Sequence, residues 1–383
     1  MICEGNLRAY LWVLIAFTGL AFIGAQQAPA QTQSKNVAAK PAQEDAFREQ
    51  INANTIGVLG GTLNGTYVRF IDDIAKVVDD GDNLRVLPIV GKGGAQNLRD
   101  LLYLKGVDLA VISALSLLEY KDQPYFSNLS ERVCFVSVLY PEELHILSDK
   151  VRTVNELSGK VVAYQGTGSK LAGERLLEAL SIKPAKMVSM NMFDAVDKMK
   201  ASEIDALVYL AGKPISGVER LEGINKNLRF VEVPFTDALL NNKLLYPSYF
   251  TKEDYPTIVG DQARCGTVAA DVLLIAYNWR TDTERARRVD KFTHAFFGGI
   301  KNIVSSKNSH PKWQVVNFNA QAPNWKRCRA AQNWLQLAAQ GARPADTGAT
   351  KAAGTGVDER SQQERLFQEF LRWQKEQKER QPR

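Results

Sequence analysis

A chain of 383 residues with 45% apolar and 23% charged side chains can bury a core in each of two ordinary-sized domains. Its formal charge of +6 is spread along the chain, with no Lys/Arg run interleaved with aromatics, which argues against a nucleic-acid groove. Three histidines (His145, His294, His310) and no Cys-x-x-Cys spacing leave no basis for a zinc or iron site.

Taken in order, residues 1–30 have the layout of a signal peptide. Arg8 is the positive start, Tyr10–Ile23 the apolar run, and Ala28-Pro29-Ala30 a small-x-small site that places cleavage before Gln31. An uncleaved anchor is the alternative; the run is short for a span. The mature chain is expected to be exported, in the periplasm of a two-membrane cell. Cleavage removes Cys3. Of the remaining Cys134, Cys265 and Cys328, either one pair bridges, with Cys265–Cys328 the suggested pair, or all three stay thiols.

Residues 31–54 read as a loose polar leader. Thr55–Leu59 is a short buried strand, Gly60–Thr66 a Gly-rich turn, and from Tyr67 the apolar positions Phe70, Ile71, Ile74, Val77 and Val78 recur at helical spacing. The device repeats twice. Strand Leu84–Val90 leads through Gly91–Asn97 into a helix ending at Leu104, and strand Lys160–Gln165 leads through Gly166–Lys170 into a helix ending at Leu180. A strand, a small-residue turn and a helix start place backbone N–H groups and a positive helix end over one spot, which suits an anionic oxygen. Ordinary turn chemistry explains any one of these; three argue for a shared ligand.

Strand–helix alternation over Thr55–Ser113 and again over Lys160–Tyr209 predicts an α/β fold with mostly parallel sheets and flanking helices. Between them, Val133–Tyr140 and Leu144–Leu147 are strand-like runs broken by Pro141 and read as the connection between two lobes. The expected plan is lobe 1 over 55–140, lobe 2 over 141–232, and a return to lobe 1 with C-terminal helices over 233–335. Residues 340–357 read as an Ala/Gly/Thr-rich linker. Residues 358–383 read as a charged amphipathic helix with Leu366, Phe370 and Trp373 on one stripe.

Catalytic patterns are missing. Gly60–Thr66 has P-loop glycine spacing but no Lys after Gly65, which removes ATP hydrolysis. Gln96 and Leu171 replace the third glycine of two incipient G-x-G-x-x-G runs, so no nicotinamide cofactor is expected. There is no G-x-S-x-G elbow, and no carboxylate pair stands out from solvated faces. The expected chemistry is binding, without a cofactor. Arg69, Lys92 and Lys170 are cations that could meet a carboxylate, and Tyr67 and Tyr164 could wall a ligand.

These stretches resemble the TAXI type of solute-binding subunit of tripartite ATP-independent periplasmic (TRAP) transporters. The resemblance is carried by GVLGGTLNGTY (57–67), GKGGAQNLRDLLYLKGVDLAV (91–111), LSGKVVAYQGTGSKLAGERLL (157–177), ASEIDALVYLAGKPI (201–215) and YPSYFTKEDYPTIVGDQARCGTVAADVLL (246–274). It implies a two-lobed periplasmic-binding-protein (type II) fold that closes on a small organic acid or amino acid and hands it to a TRAP-type membrane permease. It also implies that Gly61, Thr62, Asn64, Gly65, Thr66 and Tyr67 line the first wall. Gly93, Gly94, Gln96 and Asn97 would contribute from the second loop, and Gly166, Thr167, Gly168 and Ser169 would close from lobe 2; Lys92 and Gln165 beside them are further candidates. The family usually has Gln-x-Asp after the third strand; here Ile112-Ser113-Ala114-Leu115 stands there, which leaves Ser113 as the candidate. The alternative reading is a periplasmic sensor or assembly component docking on a receptor through 358–383.

Overall fold

In the computed structural model the described residues are 39–340, apart from 82, 122, 216, 235, 241–244 and 260–262. The expected signal peptide, the linker beyond Gln340 and the charged helix over 358–383 lie outside the described residues. Among the described residues, no helix is long and apolar enough to cross a membrane. The described residues fall into two units, one ending at Arg48 and the other beginning at Glu49. Helix α1 (Ala39–Ala53) occupies the place of the expected loose leader. Ala, Glu, Gln and Lys there have high helix propensity, which outweighs their polarity as a loop signal. All that follows concerns the second unit.

Two βαβαβ runs dominate. The first is β1 (Thr55–Leu59), α2 (Thr66–Val78), β2 (Arg85–Ile89), α3 (Gly94–Tyr103) and β3 (Leu109–Ser113). Short helices α4 (Ala114–Tyr120) and α5 (Leu129–Arg132) lead into β4 (Val133–Ser148). The second run is β5 (Val161–Tyr164), α6 (Thr167–Ala179), β6 (Lys186–Ser189), α7 (Met192–Lys200) and β7 (Ala206–Ala211). Then come α8 (Val218–Ile224), β8 (Arg229–Phe230), α9 (Asp237–Leu240), β9 (Tyr246–Thr251), β10 (Arg264–Tyr277), α10 (Glu284–Ser305) and α11 (Arg329–Ala339).

The sheet order is β2-β1-β3-β10-β4-β7-β5-β6, with β8 on β4 and β9 on β10. β1 is parallel to β2 and β3, and β5 is parallel to β6 and β7. Each parallel trio is then closed by an antiparallel strand: β10 beside β3 (Val272 opposite Ser113), and β4 beside β7 (Glu143 opposite Ala211). The halves thus share one plan, and β4 and β10, paired antiparallel with each other, run through both. Apolar residues fill both faces of each half-sheet, as continuous runs such as β3 and β7 require. This is the two-lobed type II arrangement with mostly parallel sheets and flanking helices.

Two boundaries differ from the sequence reading. β4 runs unbroken through Pro141, because that residue sits at an irregular step where the register with β10 shifts by one between Asp271 and Leu273. A bulge tolerates a missing N–H. The return to lobe 1 also comes later than residue 233. Val233, Leu239 and Leu245 pack in the core of lobe 2, and Phe250, Tyr255, Ile258 and Cys265 in its other face. The crossing is made within β10.

The C-terminal segment is fastened to lobe 1 and to the crossing. Cys134 of β4 bonds Cys328, with Cα atoms 4.9 Å apart across 194 residues of sequence, while Cys265 is a buried free thiol. The suggested Cys265–Cys328 pair is therefore corrected, since Cys265 packs in lobe 2. Asp73 of α2 accepts from His310 N (2.7 Å) and Trp313 Nε1 (3.0 Å), and Trp313 stacks on Phe70. That contact presents Lys312, whose Nζ lies 2.5 Å from Glu143 Oε1 with both side chains buried. Glu143 Oε2 accepts from Lys213 N of lobe 2 at 3.0 Å. Burial pushes the Glu143 carboxyl up and the Lys312 ammonium down from their ordinary values, and their mutual attraction opposes both shifts.

This fastening can be tested at three points. Peptide mapping without reductant should link Cys134 to Cys328 and leave Cys265 alkylated only after denaturation. Cys134→Ser should lower the unfolding free energy by about 5 kcal/mol, the chain-entropy scale for a loop of 194 residues. Lys312→Met should cost about 3–5 kcal/mol in urea denaturation by stranding Glu143, and adding Glu143→Gln should recover much of that loss.

Candidate functional site

The three Gly-rich turns meet between the lobes. α2 is N-capped by Gly65, α3 by Gly93 and α6 by Gly166; none of the three has a side-chain cap or an acidic residue in its first turn. A Cβ on Gly93 would lie 3.9 Å from the Tyr67 ring, and one on Gly94 would lie 2.2 Å from Thr167 Oγ1. Gly94, at φ +52°, is therefore where the lobes touch, and any side chain there displaces Thr167. Other contacts cross the same gap. Thr66 Oγ1 donates to Gly212 O at 3.1 Å, Thr62 hydrogen-bonds Tyr209 of β7, Thr167 hydrogen-bonds Tyr120 of α4, and Arg175 pairs with Glu119 at 2.7 Å.

Beneath these turns, where the crossing strands form the floor, Tyr67 Oη donates to Glu142 Oε2 at 2.8 Å. Glu142 is 1% exposed, and burial raises its carboxyl to about 8, while neighbouring Ser113 and Tyr67 oppose the shift. Asp271 of β10, opposite Pro141, adds a second carboxylate and accepts from Tyr246 Oη at 2.7 Å. Tyr67, Tyr140 and Tyr209 surround Glu142, and burial raises all three phenols, Tyr209 to about 12. Several buried polar atoms have no partner in good hydrogen-bond geometry: Glu142 Oε1, Ser113 Oγ, Ser116 Oγ and Tyr140 Oη. Ser113 and Tyr140 stand beside Glu142, and Ser116 faces Gly168; each such atom costs about 1–3 kcal/mol when nothing pairs with it.

The expected site residues divide by what holds them. Gly61, Thr62, Gly65, Thr66, Tyr67, Gly93, Gly94, Ser113, Gly166, Thr167 and Gly168 are brought to the gap or its floor. Asn97 is instead a fastener, donating to Gly60 O (2.7 Å) and Val111 O (2.8 Å) and accepting from Gly93 N (3.0 Å). Gln165 Oε1 accepts from Met192 N at 2.6 Å, and Ser169 Oγ from Leu210 N at 2.9 Å, so both are committed to backbone. Asn64 and Lys92 are exposed, and Tyr164 is half-buried at the rim of the lobe 2 core. Gln96 donates to Asp100 at 3.1 Å and keeps a buried, unpartnered Oε1. Arg69 faces Asp73 and the Asn308 carbonyl, and Lys170 pairs with Glu174 on the surface.

Sequence reasoning missed the floor. Glu142, Glu143 and Asp271 stand inside otherwise apolar strands, and that placement was the signal that sets them apart from solvated carboxylates. A groove of about 910 Å³ lies beside the Thr66–Gly212 contact, lined by Arg69, Pro214, Ile215, Asp254 and His310 among others. None of the unpartnered buried atoms lines it, and Asp254 is already paired with Lys213 at 2.7 Å. The Gly-turn gap is thus the better candidate. Among the described residues, no group of His, Cys, Asp and Glu could hold a metal ion.

No curated protein matches the chain. Among solved structures, MatC from Rhodopseudomonas palustris with bound malate is 11% identical with a TM-score of 0.44, covering 67% of this chain and 87% of MatC. A periplasmic transporter is 14% identical with a TM-score of 0.43 (84% and 97% covered), and Tv2483 bound to L-arginine is 12% identical with a TM-score of 0.43 (72% and 98% covered). The profile of the NMT1-like family matches residues 58–312, the span that holds both lobes, the crossing strands and the gap between them, and the chain belongs to that family.

Proposed function

We propose that this protein is an extracytoplasmic solute-binding protein that captures a small organic acid or amino acid between its lobes and delivers it to a TRAP-type membrane permease. The observation that carries the reading is the meeting of three uncapped helix N-termini, from both lobes, over a floor of buried and unpartnered polar atoms. Helix ends of this kind take a carboxylate through backbone N–H groups without a cationic side chain. A solute would supply the partners that Ser113, Ser116, Tyr140 and Glu142 lack. Binding rather than turnover is the proposed role, and export to the periplasm with removal of residues 1–30 goes with it. The resemblance of the Gly-rich turns to TAXI subunits supports the choice of permease class.

A thermal-shift screen of the protein against organic acids, amino acids and inorganic anions tests this reading. A solute at 100 times its dissociation constant should add about 2.7 kcal/mol, a shift of several degrees. No shift across the panel would overturn it. Closure has its own test. Gly94→Ala places a methyl group against Thr167 and should weaken solute binding at least tenfold and enlarge the radius of gyration in small-angle scattering. Adding Thr167→Gly should restore both.

A further inference from the structure

The floor of the gap has a charge pattern that narrows the solute. The charged groups that face Glu142 are acidic: Glu143 on its own strand and Asp271 on β10. The other titratable neighbours are phenols, Tyr67 on α2, Tyr140 on β4 and Tyr209 on β7. The cations in the vicinity are taken. Lys312 is paired with Glu143, and Lys213 binds Asp254 and the Tyr249 carbonyl. One oxygen of Glu142 accepts from Tyr67, and the other, completely buried, has no partner. The Ser113 hydroxyl stands beside this carboxyl and opposes the shift, but like Tyr140 Oη it has no partner in good hydrogen-bond geometry, so the only groups near that oxygen are neutral hydroxyls and other carboxylates.

We propose that the solute carries a protonated amine, and that its nitrogen donates to the unpartnered oxygen of Glu142 beside the Asp271 carboxylate. An ammonium satisfies the carboxylate and offsets the repulsion among Glu142, Glu143 and Asp271, whereas an oxygen anion placed there adds to it. The helix N-termini then hold the opposite, anionic end, so the solute class is the zwitterion of an amino acid rather than a plain organic acid. This holds only if the gap is the solute site proposed above.

Proton linkage supplies a signature. Glu142 titrates near 8 in the free protein, so at pH 7 it is mostly protonated and must lose that proton to accept an ammonium. Affinity should therefore rise with pH up to about 8 and fall again where the solute's own ammonium loses its proton.

The experiment pairs L-amino acids with the 2-oxo acids of identical side chain, which differ at the amine alone. Thermal shift should show stabilisation by at least one amino acid and none by its oxo acid. Calorimetry of that amino acid at pH 7, in phosphate and in Tris, should show release of about one proton to the buffer, falling toward zero by pH 9. Glu142→Gln, with circular dichroism unchanged, should weaken binding at least tenfold. Equal or tighter binding of oxo acids, or amino-acid binding without proton release, overturns the amine while leaving solute capture standing. No stabilisation by either set overturns both.

Discussion

The structure depends on the antiparallel pairing of two strands that are each too long for one lobe. β4 and β10 run side by side through both half-sheets, and each supplies the strand that closes the other's parallel trio. Backbone hydrogen bonding leaves no alternative: a parallel trio ending at β3 or β7 would present a buried edge of unpaired N–H and C=O groups. The crossing also fixes where polar chemistry can be placed. Successive residues of a strand point to opposite sides, so Glu142 and Glu143 are assigned different surroundings by one step of the pleat. Glu143 meets Lys312 and the Lys213 amide, while Glu142 meets hydroxyls and an unfilled valence for hydrogen bonding.

That division separates a structural carboxylate, Glu143, from the one proposed to meet the solute, Glu142. The ion pair of Glu143 is buried and needs both partners in place, which in turn needs the segment carrying Lys312 to be pressed on α2 by Trp313 and Asp73. The site above has no comparable internal compensation. Its polar atoms are held in position by aromatic and backbone contacts, then left without partners of their own. Rigid placement with unsatisfied valence is what selective capture of a small polar molecule requires, since the ordering cost is met during folding rather than on binding.

Much of this was legible in the sequence, for identifiable reasons. The Gly-rich turns announced themselves because a strand, two or three glycines and a 3.6-residue period have few other uses. The alternation over Thr55–Ser113 and Lys160–Tyr209 likewise gave the two parallel trios. What escaped was set by tertiary context. Asn97 and Ser169 look like ligand donors in a turn, but neighbouring backbone claims their side chains, and no local pattern shows that. Pro141 reads as a break unless the bulge opposite it is known. The disulfide partner of Cys328 depended on which lobe each cysteine packs in, and Cys265 belongs to the far one.

The exchange of closing strands has a consequence for how the chain reaches its native state. Lobe 1 is not a contiguous stretch of sequence, because lobe 2 is inserted between β4 and β10. The first trio is finished at Ser113, yet the strand that must lie beside it is not complete until Tyr277, after the whole of the second trio has been made. The first trio therefore waits from Ser113 to Tyr277 for its closing strand, and its folding is governed by contacts of long sequence separation. Until β10 arrives, the apolar residues of β3 lack their neighbour, so the completion of lobe 1 follows that of lobe 2 in chain order.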